Sequence, residues 1–214
     1  MKLIENIKKE IHSIWSVESN KRFIKDTLMF FVATIVFHIL YWNTDMNLWI
    51  FGPFTNDIFD FFTMIAYKAS APLCSIFIDK PFIMQDSSFY FYSTLPDGSI
   101  VYDSIMEIIH DCSGIKQLLQ WALIMILCRG KWTNKILYYL AGCVIILLAN
   151  IIRIVIITKI SATNPEMFEP IHDWVARPLM YVIIFSMWYF WLHIIDRKRR
   201  KVVPQKCRQY FTCR

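Results

Sequence analysis

Residues 110–117 read His-Asp-Cys-Ser-Gly-Ile-Lys-Gln. A thiol, Cys112, follows two polar residues and precedes an apolar run. A helix N-terminus and nearby cations favour the thiolate, the form of cysteine that attacks a carbonyl carbon. Gly114 permits an unusual turn or a close backbone approach. An inert buried cysteine is the plain alternative, but the polar neighbours His110 and Asp111, together with Ser113, favour a nucleophile. Arg153, in Asn-Ile-Ile-Arg-Ile (150–154), lies inside an apolar run. An ionisable side chain there costs about 2.5 kcal/mol or more, and its default reading is functional. A guanidinium can stabilise a developing oxyanion; snorkelling to headgroups is the other reading. Asn150, three residues earlier on the same helical face, can hold the guanidinium or line the same cavity. His172 precedes the last apolar run and is a candidate general base near neutral pH, or else a simple cap for an interfacial helix. His110 competes for the base role. Asp173 is not expected to orient His172, because adjacent helical residues point in different directions. Gln117 and Gln120 face the same cavity or bond neighbouring helices.

The elements that carry these residues are membrane helices. Of 214 residues, 56% are hydrophobic and 16% aromatic, above the apolar share of soluble domains. Four runs approach the ~20 residues needed to cross a bilayer: 23–42, 115–128, 136–158 and 174–195. With both termini inside, most of the 23 basic residues fall in the amphipathic arm 1–22, the hairpin 129–135 and the tail 196–214, an asymmetry that sets orientation. The net charge of +6 therefore points to anionic lipid headgroups and not to nucleic acid. No nucleotide-binding loop is present, and no zinc-like Cys/His spacing occurs; no cofactor is expected.

The outer segment 43–110 holds two further elements. Residues 57–80 carry Asp57, Asp60 and Lys68 on one face, with an interruption at Pro72, and read as an interfacial amphipathic helix; a re-entrant pair of short helices is the alternative. Residues 88–102, two aromatic and β-branched runs about Pro-Asp-Gly, read as an extracytoplasmic β-hairpin. The fold expected is an all-α integral membrane protein of about four transmembrane helices with these two additions, and 23–195 as a single membrane-embedded domain. Cys112, Arg153 and His172 then lie at a similar depth on the outer side, in the outer membrane leaflet region of a cell membrane. Cys128 and Cys143 are core residues, Cys207 and Cys213 lie in the tail, and Cys74 is the other outward cysteine.

The combination of Asp-Cys-Ser-Gly-Ile (111–115), Asn-Ile-Ile-Arg-Ile (150–154) and His172 resembles the exosortase/archaeosortase family of integral membrane cysteine transpeptidases. The likeness covers 88–195. It implies Cys112 as nucleophile, Arg153 as oxyanion or substrate-binding group and His172 as base; Asn150, Ser113, Gly114, Asp111 and Gln117 are read from their positions as supporting or substrate-binding residues. It also implies partners: secreted proteins ending in a sorting signal (short motif, apolar span, basic tail), and an amine-bearing lipid or surface acceptor. Many members have an acidic residue two before the cysteine, where this chain has His110. Archaeal members place an arginine at the position of His172. Two other functions fit the residues: a thiol-disulfide oxidoreductase using Cys74, and a non-catalytic assembly subunit of the same fold.

Overall fold

A computed structural model describes residues 18–202. Most of the expected arm (1–22) and tail (196–214), with Cys207 and Cys213, lies outside the described residues. The chain begins with α1 (Glu18–Asn43), then α2 (Met46–Phe51), a 3₁₀ turn (Gly52–Phe54) and α3 (Thr55–Phe77). Three strands follow: β1 (Phe82–Gln85), β2 (Ser88–Thr94) and β3 (Ile100–Glu107). A 3₁₀ turn (His110–Cys112) leads into α4 (Ile115–Leu127) and α5 (Trp132–Thr163). After a short turn come α6 (Phe168–Ile171), a wider π turn (His172–Ala176) and α7 (Arg177–Val202).

Among the described residues three helical stretches are long and apolar enough to cross a membrane: Phe23–Asn43, Trp132–Thr163 and Pro165–Ile194. The fourth expected span, α4, has 13 residues, a rise of about 20 Å at 1.5 Å per residue. Its ends are fixed by backbone geometry. It starts after Gly114, whose φ of +83° favours glycine, and stops at extended Cys128. The hairpin beyond is fastened on several sides. Lys135 Nζ donates to the Ile126 carbonyl at 2.9 Å, Arg129 pairs with Asp26 of α1 at 3.1 Å, and Trp191 of α7 donates to the Arg129 carbonyl.

The expected hairpin is a three-stranded antiparallel sheet in the order β1-β2-β3. β1 joins β2 through Asp86 and Ser87, both at positive φ. That is the geometry of a type I′ turn, but Asp-Ser lacks the glycine by which such turns are usually read. β3 also runs to Glu107, past an irregularity in register: Tyr92 faces Tyr102, but Phe91 faces Ser104. α3 is one continuous helix, neither interrupted at Pro72 nor split into a re-entrant pair. The missing Pro72 N–H would leave the Lys68 carbonyl without its helical donor. Both residues are exposed, so that loss is not sealed in the core. The helix buries Phe59, Thr63, Ala66, Tyr67, Ser70 and Cys74, and leaves Asp57, Asp60 and Lys68 outside.

Two hydrophobic clusters result. One joins α3, the sheet and the far half of α5 through Tyr67, Phe89, Phe91, Ile154 and Ile157. The other joins α1, α4, α5 and α7 through Phe30, Trp121, Ile146, Ile184 and Trp188. α5 belongs to both, and its stretch between Ile146 and Ile154 is the joint. One turn before that joint α4 and α5 meet closely because Gly142 has no side chain: a Cβ there would overlap the Trp121 indole. The indole is fully buried and donates to the Tyr139 carbonyl at 3.3 Å.

A Gly142→Ala variant is therefore expected to lose about 1–3 kcal/mol through overpacking, despite alanine's better helix propensity. The check is the thermal midpoint in detergent, and a second change, Trp121→Leu, is expected to recover part of the loss.

Candidate active site

The joint in α5 carries Asn150 and Arg153, both buried. Helical periodicity places them on one face, and Arg153 Nη1 lies 3.5 Å from Asn150 Oδ1, a long contact. Asn150 Nδ2 donates to the Cys112 carbonyl at 2.7 Å. Asn150 thus clamps the backbone of the cysteine turn to α5. Gly114 makes the clamp possible: a Cβ there would sit 3.3 Å from Asn150 Nδ2, at a φ that side chains disfavour. Ser113 is buried, and its Oγ accepts from the Ile115 N–H at 3.3 Å, helping to start α4.

Arg153 Nη2 lies 3.0 Å from His172 Nε2. A guanidinium can only donate, so Nε2 accepts and the imidazole proton is on Nδ1. Asp173 Oδ1 is 2.9 Å from Nδ1 and takes that proton's hydrogen bond. The carboxylate in turn pairs with Arg177 at 3.1 Å. The expectation that Asp173 would not orient His172 is thus corrected. These two residues open the π turn, and the imidazole reaches its neighbour's carboxylate directly. Phe168 stacks on the ring at 5.5 Å between centroids and 7° between planes, which fixes its tilt. Neutral His172 therefore carries its lone pair on Nε2, where Arg153 donates to it; a general base requires that tautomer.

Arg153 and His172 line a cavity of about 370 Å³, together with Asp111, Ser113 and Gln117. Cys112 is not on its wall. The residue is 8% exposed and belongs to the cluster beneath, flanked by two residues that do line it. Burial pushes the Cys112 thiol above the ordinary cysteine value, while the Arg153 charge pulls it down. No hydrogen bond joins its sulfur to His172 among the described residues. His110 does not compete for the thiol: its Nε2 pairs with Asp60 of α3 at 2.7 Å. Gln120 is buried and turns to Thr34 of α1 at 3.5 Å.

Sequence reasoning passed over Lys116, Arg177, His38, Tyr41, Trp42 and Tyr181, which with His110 also line the cavity. The spacing Cys112–Lys116 and Asp173–Arg177, each i to i+4, was the available signal. Cys74 is fully buried and its thiol is pushed up to about 11, by burial.

Replacing Arg153 with Gln removes the charge that holds the thiol down. The pH at which Cys112 becomes reactive is then expected to rise above that of the parent, so alkylation at a fixed neutral pH slows. Iodoacetamide rates across pH, resolved by residue with mass spectrometry, check the direction.

A family model described as transmembrane exosortase matches residues 87–194. No curated protein and no solved structure gives a significant match to the chain.

Proposed function

The chain belongs to the transmembrane exosortase family and is a membrane protein, and on that premise we propose that it is a cysteine transpeptidase that cleaves the C-terminal sorting signal of secreted proteins. The observation that carries this reading is the Asp173–His172–Arg153 chain set above a cysteine turn clamped by Asn150. Cys112 is the nucleophile, Arg153 the oxyanion donor and His172 the proton carrier. The site lies at the extracytoplasmic face of the cell membrane with both termini inside, as the basic hairpin and the arm favour.

In the first half-reaction the thiol proton passes to His172, and sulfur attacks the scissile carbonyl carbon. Arg153 turns from His172 Nε2 to the oxygen that gains charge, and its Nε, which has no partner among the described residues, is a further donor. The C–N bond breaks as His172 protonates the leaving amine, and a thioester remains. In the second half-reaction an acceptor amine attacks the thioester, gives its proton to His172, and releases the thiolate. Each donor aimed at such an oxyanion is worth about 10²–10³ in rate. The thiol-disulfide alternative is disfavoured by Cys74, whose sealed, high-pKa thiol is a poor resolving partner.

Cys112→Ala is expected to abolish processing of a co-expressed substrate while the protein remains folded in the membrane. Continued cleavage would sink the reading. Arg153→Gln is expected to lower the rate about 10²–10³-fold. Asp173→Asn, which weakens the tautomer lock, is expected to cost less than Arg153→Gln and to change the pH profile, measured on the same substrate. For orientation, Lys131→Cys is expected to react with an impermeant maleimide from the cytoplasmic side alone.

A further inference from the structure

The cavity is larger than the three catalytic groups require, and its remaining wall is cationic. Lys116 stands on the first turn of α4. Its Nζ lies 4.3 Å from the ring centroid of Trp42 and 5.1 Å from that of Tyr41, both on α1. Across the cavity Arg177 opens α7, and Asp173 accepts one of its five N–H donors. His38 and Tyr181 bond each other at 3.1 Å and close the gap between α1 and α7. Among the described residues Lys116 forms no ion pair. Three cations, Lys116, Arg153 and Arg177, therefore line the cavity against two carboxylates, Asp111 on its wall and Asp173 paired with Arg177, which leaves an excess of positive charge. Partial enclosure strengthens that excess charge, and an anionic ligand would answer it.

Depth identifies the anion. Trp42 and Tyr41 lie at the end of the span Phe23–Asn43, and aromatic residues at span ends mark the headgroup layer. At that level the abundant anion is the phosphate of a phospholipid, which a lysine and an arginine fork bind through charge-assisted bonds. The α1 side of the wall, His38, Tyr41 and Trp42, lies outside the matched residues 87–194. We propose that Lys116 and Arg177 form a phosphate subsite for the phosphodiester of a lipid headgroup, held beside the cysteine turn. The use of the subsite rests on the transpeptidase reading, in which the bound phospholipid is the acceptor; its existence does not.

The test uses the full-length Cys112→Ala protein in an uncharged detergent, with glycerophosphoethanolamine and inorganic phosphate as probes and phosphorus NMR line broadening as readout. The diester is expected to bind more tightly than inorganic phosphate. Adding Lys116→Gln is expected to weaken diester binding about tenfold or more, and Lys116→Arg to retain it. Unchanged binding by Lys116→Gln overturns the proposal, as does binding of inorganic phosphate without the diester. A protein that lacks its nucleophile cannot transfer anything, so these results stand apart from the processing assay: loss of either reading leaves the other measurable.

Discussion

A guanidinium buried at the junction of two hydrophobic cores is the constraint around which this molecule is arranged. Arg153 is 5% exposed, and an ion placed there is costly unless its donors are met. A carboxylate partner would satisfy it most simply but would also neutralise it. The residues that touch it are instead an amide, Asn150, and an imidazole, His172. The acid, Asp173, stands one residue removed, behind the imidazole. The charge thus sits among dipoles and a neutral imidazole, with no carboxylate bonded to it.

The same arrangement holds the cysteine by its backbone. The Cys112 carbonyl is fixed by Asn150, and the turn is stiffened by the Cys112 N–H to Ile109 and Ser113 N–H to His110 bonds, at 2.8 and 3.0 Å. The side chain, by contrast, rests in the hydrophobic cluster shared by α3, the sheet and α5. Burial protects the thiol at rest, and the nearby cation offsets part of the cost of ionising it.

The elements before Cys112 support this joint from one side. α3 and the sheet pack on the far half of α5, and the His110–Asp60 pair fastens the approach to Cys112 onto α3. That explains why His110, nearest to the thiol in sequence, is engaged elsewhere. A side chain two residues from a cysteine in a 3₁₀ turn projects away from it, toward the neighbouring helix. β1 escaped notice for a related reason. Its turn uses Asp86 and Ser87 at positive φ, and neither residue announces that conformation.

The sequence by itself determined the membrane helices, the hairpin about Pro-Asp-Gly and the three residue types worth watching, because hydrophobic run length, turn composition and the cost of a buried charge are local properties. It also placed Asn150 and Arg153 on one face of their helix, which helical spacing alone specifies. Only the tertiary structure decided that His172 bonds Arg153 and Asp173 rather than the thiol, that Cys112 lies under the cavity and not on its wall, and that Lys116, Arg177, Tyr41 and Trp42 complete that wall. Those facts depend on how α1, α4, α5 and α7 rotate about their own axes as they pack, and a helix's rotation is set by its neighbours' side chains, which no single segment encodes.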